Sequence, residues 1–324
     1  MKISVICPVY NEEKYIADCI NSLLAQDFSW DESEIFFIDG MSTDNTRNII
    51  TNIAQDYKFI YLLDNPKRIT PTALNIGIKK SKNYIVFRID AHTKYPSNYF
   101  SILSDYLIKL KADNVGGVCR TLPGGKGIIP SSIAKAMTSL FGMGTSLFRI
   151  GATEIKEVDT VPFGCFNRDI FKKLGYFDEQ MIRNQDDEFN GRIIKNGGKI
   201  FLIPQVVIDY FARKEIRKMS LMFYQYGLYK PLIIKKLGRP VTMRQFFPLF
   251  FILWIFIGCL LSFIYNGIFL LYFSILIIYL LLAFSYSLKL SSDFLQFLFL
   301  PVIFFIIHIS YGFGYFVGIL KILI

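Results

Sequence analysis

The tripeptide Asp90-Ala91-His92 closes an apolar run, Tyr84-Ile85-Val86-Phe87-Arg88-Ile89, that reads as a buried strand. Carboxylate oxygen and imidazole nitrogen can together hold a divalent cation, although a surface loop can carry the same two side chains. Two further acidic sites follow the ends of predicted elements: Asp39 after a second strand, and Asp186-Asp187-Glu188 beside a helix that carries Arg192. In an open α/β sheet the carboxyl ends of parallel strands converge, so residues distant in sequence share one crevice. Carboxylates gathered there suit a cation, and a cation with open positions suits an anionic ligand such as a diphosphate.

The elements that must position these residues alternate. Residues 2–8 form a short β-rich run, and residues 14–26 place Ile16, Ile20, Leu23 and Leu24 at helical spacing. The pattern repeats with a strand at 34–38, a helix at 47–57, a strand at 59–63, a helix at 72–80 and the strand that ends at Asp90. Such alternation predicts an α/β fold with a mostly parallel, doubly wound sheet flanked by helices. Beyond Asp90 the pattern predicts a helix at 98–111, strands at 115–120 and 158–166, and a helix at 168–174 ended by Gly175. The turn Gly124-Gly125-Lys126-Gly127 lacks the spacing and the closing Lys-Ser/Thr pair of a phosphate loop. The amino-terminal apolar run is interrupted by Pro8 and Asn11-Glu12-Glu13, so it reads as a first strand and not as a signal peptide. Five scattered cysteines without metal-like spacing fit a reducing compartment.

Charge and hydropathy divide the chain. Residues 1–210 hold 25 Lys/Arg and 24 Asp/Glu, whereas the remainder holds 11 and 2, so nearly all of the net charge of +10 lies after residue 210. Nine of those cations precede the first long apolar stretch, which suggests anionic lipid headgroups and a cytoplasmic face. No basic stripe marks the first half, and nucleic acid is not expected as a partner. Stretches at 246–263, 267–288 and 294–320 are each long enough to cross a bilayer and apolar on every face, which argues against a buried helical hairpin. The expected organisation is a domain at 1–210, a basic amphipathic juxtamembrane segment at 211–245 and about three transmembrane helices in 246–324. His308 reads as a packed residue, and Gly314 and Gly318 have the spacing of a helix-packing face.

Four ordered motifs together resemble family 2 glycosyltransferases of the GT-A fold. They are Cys7-Pro8-Val9-Tyr10-Asn11-Glu12, Ile38-Asp39-Gly40-Met41-Ser42-Thr43-Asp44-Asn45-Thr46, Asp90-Ala91-His92, and Gln185-Asp186-Asp187-Glu188-Phe189 with Arg192. The likeness covers about residues 3–200. Asn65-Pro66 with Arg68, Ala73-Leu74-Asn75, and Tyr95-Pro96 after the tripeptide also resemble the subgroup that builds succinoglycan and related exopolysaccharides.

The resemblance implies roles for individual positions. Pro8, Tyr10, Glu12 and Asp39 would hold the nucleotide, and Arg68 would lie near the diphosphate. Asp39 also reads as a turn or cap residue, and Asp44 as a helix cap. Asp90 and His92 match the Asp-X-Asp that holds Mn²⁺ or Mg²⁺ against the sugar diphosphate. The histidine departs from the commonest form, so either it ligates the metal or Asp90 ligates alone while His92 bonds phosphate. Asp186 matches the general base, with Asp187 as the alternative because Gln185 replaces the usual acid. Neighbouring acids are expected to raise the pKa of that base. Phe163 and Gly164 fall in the segment that lines the acceptor side.

The implied activity is inverting transfer of a sugar from a nucleoside diphosphate donor, expected to be uridine-linked, to a lipid-linked glycan. The acceptor is expected to be polyprenyl-linked, in contact with membrane lipids at the cytoplasmic membrane of a bacterium, with the catalytic domain in the cytoplasm. The rivals are a processive polysaccharide synthase, a polyprenyl-phosphate sugar transferase and, from another class, a nucleotide-binding membrane assembly protein.

Overall fold

The computed structural model describes residues 2–323. In chain order the elements are β1 (Ile3–Val9), α1 (Ile16–Leu24), β2 (Glu34–Asp39), α2 (Thr46–Ala54), β3 (Ile60–Asp64), α3 (Thr70–Lys80), β4 (Ile85–Arg88), α4 (Tyr99–Lys109) and β5 (Asn114–Leu122). Three short helices follow, α5 (Ile128–Ala136), α6 (Leu140–Met143) and α7 (Leu147–Ile150), before β6 (Lys156–Glu157), β7 (Cys165–Asn167), α8 (Asp169–Leu174), α9 (Gln185–Lys195) and β8 (Ile200–Phe211). The remainder is helical: α10 (Ile216–Leu237), α11 (Phe247–Leu253), α12 (Cys259–Ser262), α13 (Asn266–Leu290) and α14 (Phe294–Leu323).

The eight strands form one sheet in the order β3-β2-β1-β4-β7-β5-β8-β6. β3, β2, β1 and β4 run parallel, so the carboxyl ends of all four lie on one edge. β7 is antiparallel to both β4 and β5, which makes the sheet mixed. β2 is buried at every position and β4 likewise, as expected of strands covered on both faces. Aromatic residues fill the core: Phe87 lies edge-on to Phe100 at 4.7 Å, and Phe171 stacks on Phe189 at 5.0 Å.

Two elements differ from the sequence expectation. The strand predicted over 158–166 exists only as the short β6 and β7, because Pro162 cannot donate to a ladder and Phe163 takes a left-handed φ of +47°. The long β8 was not anticipated. Its segment contains Pro204, and alternation of buried and exposed positions begins only beyond that residue.

By compactness the chain divides into Met1–Arg120 with Gly151–Tyr210, and Thr121–Ile150 with Phe211–Ile324. Residues 121–150, kept with the first domain in the sequence reading, therefore belong to the helical unit. Lys135 Nζ donates to Ser292 Oγ and Gln296 Oε1 at 2.6 Å each, and Gln296 Nε2 donates to Ser131 Oγ at 2.9 Å. Hydropathy does not register such polar tethers.

Among the described residues, three helices of the helical unit are long and apolar enough to cross a membrane: Met243–Ser262, Asn266–Leu290 and Phe294–Leu323. A Cβ on Gly314 would overlap Tyr224 O and one on Gly318 would overlap Leu228 O, so both glycines let α14 meet α10 backbone to backbone. His308 Nε2 lies 2.9 Å from Phe141 O, which can only accept; Nδ1 therefore receives the Tyr279 hydroxyl, also at 2.9 Å.

Candidate active site

Three loops meet at the parallel edge of the sheet. After β1, Asn11 adopts φ +54°; its side-chain Oδ1 accepts from Thr43 N at 2.8 Å while its own N–H donates to Ser42 Oγ at 2.9 Å. Glu12 N donates to Thr46 Oγ1 at 2.8 Å, and Glu13 Oε2 accepts from Asn45 N at 3.1 Å. The first and second loops are thus bonded into one unit. Asp44 Oδ1 accepts from Thr46 N at 3.0 Å; the cap position of α2 itself is Asn45, not the expected Asp44, because Asp44 lies one residue further out in the turn.

Asp39 is wholly buried at the end of β2. Its carboxylate accepts from Ser42 N at 3.0 Å, from Ser42 Oγ, and from Arg47 Nη1 at 2.6 Å. The same Arg47 nitrogen reaches Asp64 Oδ1 at 2.8 Å. Arg47 has no place in the sequence reading, yet a buried carboxylate needs such a partner. Pro8 is half-buried in β1, and Tyr10, 47 % exposed, lies against Gly40 at the mouth of this loop pair.

The centre of the edge is Arg88, the last residue of β4 and only 7 % exposed. Its Nη2 lies 3.0 Å from Asp90 Oδ1 and 3.6 Å from Asp186 Oδ2. Burial opposes the guanidinium charge, but Asp186 and Asp90 more than offset it and hold the group protonated. Phe163 lies beneath, with its ring 5.3 Å from the guanidinium carbon, and its carbonyl accepts from Tyr99 Oη at 2.6 Å. Gly164 O accepts from Arg88 N at 2.9 Å, and a Cβ on Gly164 would overlap Asn114 and Phe166. Both predicted acceptor-side residues are buried, and both support Arg88.

Asp186 stands in the first turn of α9, where the helix dipole favours an acid. Burial raises its carboxyl above the ordinary aspartate range; Arg88 opposes the rise, and Asp90 and Asp187 reinforce it. Its side chain still keeps 28 % of its surface open, enough for a proton to enter and leave. Glu188 plays no part in this. It is buried and bound to Arg192, with Nε 2.7 Å from Oε1, and Arg192 also holds the carbonyls of Leu174 and Tyr176. The three consecutive acids therefore separate into two environments.

His92 Nδ1 lies 3.3 Å from Glu12 Oε1, which joins the third loop to the first. Arg68, exposed at φ +57°, sits beyond β3 in a segment pinned by Lys67 and Glu179 at 2.7 Å. Among the described residues no three His, Cys, Asp or Glu side chains group as a metal cage. Magnesium, however, is commonly held by one or two carboxylates together with substrate phosphates. Arg88 engages one Asp90 oxygen, and a carboxylate has two, so Asp90 fits such a shared site.

An open sheet with acids collected beyond its parallel strand ends marks a ligand crevice at that edge of an α/β fold. Comparison with known proteins carries this further. The profile described as "Glycosyl transferase family 2" matches residues 4–175. A dolichyl N-acetyl-alpha-D-glucosaminyl phosphate 3-beta-D-2,3-diacetamido-2,3-dideoxy-beta-D-glucuronosyltransferase of Methanococcus voltae is 30% identical over 98% of this chain and 97% of its own. The succinoglycan biosynthesis protein ExoA of Rhizobium meliloti is 28% identical over 76% of this chain and 74% of its own. In fold, the chain is similar to the mannosyltransferase PcManGT of Pyrobaculum calidifontis, solved with GDP-Man and Mn²⁺, at a TM-score of 0.59 and 16% identity, covering 95% of this chain and 86% of that one. The chain belongs to glycosyltransferase family 2.

Proposed function

We propose that this glycosyltransferase moves a sugar from a nucleoside diphosphate donor to a polyprenyl-linked glycan at the cytoplasmic face of the membrane, with inversion at the anomeric carbon. The observation that carries the reading is that Asp90, on the donor edge, and Asp186, the base candidate, meet at one guanidinium nitrogen. Near full-length similarity to a transferase whose name specifies a dolichyl-linked phosphate supports a lipid-linked acceptor. The cations before residue 246 and the three apolar helices support the membrane location and the cytoplasmic orientation.

In the proposed step Asp186 removes the proton from the acceptor hydroxyl. That oxygen bonds to the anomeric carbon from the face opposite the diphosphate, the carbon–oxygen bond to phosphate breaks, and the nucleoside diphosphate leaves with the electron pair. A carboxyl raised above its ordinary range is a stronger proton acceptor for this task than an exposed aspartate. Asp187 raises that carboxyl and is the second candidate for the base. Asp90, together with the donor diphosphate, would hold Mn²⁺ or Mg²⁺, with His92 either a further ligand or hydrogen-bonded to phosphate, and the metal would neutralise charge on the leaving group. Glu12 orients the His92 ring, while Pro8, Tyr10, Asp39 and Arg68 frame the nucleotide side.

The test is a panel of labelled nucleotide sugars offered to membranes that contain the full chain, with Mn²⁺ and Mg²⁺ compared. One donor is expected to label an extractable lipid-linked product by a single sugar. Long polymer would favour the processive synthase, label on polyprenyl phosphate itself would favour the polyprenyl-phosphate transferase, and tight binding with neither transfer nor hydrolysis would favour the assembly protein.

A further inference from the structure

We infer that Arg88 is a positioning residue that spans the donor-side carboxylate Asp90 and the base Asp186 and holds them at a fixed separation. Its place is built by the fold. Nη2 serves both acids, at 3.0 and 3.6 Å, so neither carboxylate can shift without loosening its contact with this nitrogen. Arg88 ends a strand buried at every position, and its N–H is fixed by Gly164 O at 2.9 Å. The ring of Phe163 closes the face of the guanidinium at 5.3 Å. That ring is placed by a backbone in the left-handed region, φ +47°, which a phenylalanine adopts only when its surroundings impose it; the bond from Tyr99 Oη to Phe163 O at 2.6 Å does so.

The chemistry of the side chain matches the task. A guanidinium is planar, carries its donors at fixed angles and keeps its charge when buried, whereas a lysine ammonium is a point charge on a flexible stem. Two carboxylates that share one cation avoid the mutual repulsion that would otherwise drive them apart before a donor arrives. The arrangement also links the two halves of the reaction, since the group that meets the donor and the group that takes the proton are aligned by one residue. The catalytic part of this inference rests on the function proposed above; the structural part does not.

The experiment compares the wild-type full chain with Arg88→Met, Arg88→Lys, Asp186→Asn and the double variant Arg88→Met/Asp186→Asn, all in detergent. Thermal unfolding comes first. Arg88→Met is expected to lower Tm by several degrees, and adding Asp186→Asn to it is expected to raise Tm by more than Asp186→Asn raises that of the wild type, because one of the two unneutralised acids is gone. Strictly additive shifts would overturn the spanning role. This measurement needs no activity, so a protein that transfers no sugar yet shows that larger rise would refute the proposed function and leave the bridge standing. In kinetics, Arg88→Lys is expected to lower kcat at least tenfold while the donor KM changes less than threefold. A folded Arg88→Lys with wild-type kcat, or a loss confined to KM, would overturn the positioning role.

Discussion

Replacing Asp186 by Asn separates what that carboxylate does for the reaction from what it costs the fold. The amide keeps the shape and cannot take a proton. Loss of a general base reduces rate by about 10²- to 10⁴-fold, equivalent to about 3 to 5 kcal/mol of barrier. The stability effect has the opposite direction. At 3.6 Å from Arg88 the carboxylate gains a nominal attraction of about 5 kcal/mol at an effective dielectric of 20. Its carboxyl is nevertheless raised, so desolvation, with Asp90 and Asp187, outweighs that attraction. A group whose folded pKa lies above its unfolded value stabilises fully below the unfolded value and loses that contribution as pH rises through the folded one. Asn does not ionise and escapes the loss. Asp186→Asn is therefore expected to match the wild type in Tm near pH 4 and to exceed it at pH 7, while transfer falls by at least a hundredfold. Thermal scans of the full chain across that pH range, without added nucleotide or metal, check the first part and a labelled-sugar assay the second. A variant less stable than wild type at pH 7 would show that the pairing with Arg88 dominates, and would refute this account of the Asp186 environment.

Other perturbations test neighbouring parts of the structure. Arg47→Met leaves the wholly buried Asp39 without its cation, at a cost of about 3 kcal/mol, and is expected to lower both Tm and nucleotide affinity in calorimetry. Gly314→Val forces a side chain into the Tyr224 carbonyl and is expected to cost about 1 to 3 kcal/mol or more, read as faster proteolysis of α10 in the detergent-solubilised protein. His92→Asp substitutes a harder oxygen ligand for imidazole and is expected to move the ratio of Mn²⁺- to Mg²⁺-supported transfer toward Mg²⁺; an unchanged ratio would remove His92 from the metal.

The alternation of apolar runs with helical spacing made the parallel half of the sheet legible, because strands covered on both faces and amphipathic helices leave different periods in sequence. The ends of those strands also place Asp39 and Asp90 on one edge. What stayed illegible depends on tertiary partners. Arg88 stood inside an apolar run without a role, although a charge in such a run needs a buried counter-ion and could have been singled out on that ground. Arg47 offered no comparable sign, since an arginine in the first turn of a surface helix is ordinary. The acids of 186–188 looked like one cluster, but helical geometry sends Glu188 to Arg192 and leaves Asp186 with Arg88. Residues 158–166 were apolar enough for a strand, and Pro162 with the left-handed Phe163 prevents one.

The central claim, a single displacement with Asp186 as the base, is tested most directly by the stereochemistry of the product. The anomeric configuration of the transferred sugar, read by proton NMR on lipid-linked product made from a donor of known configuration, is expected to be the opposite of the donor's. Retention of the donor configuration would contradict the mechanism.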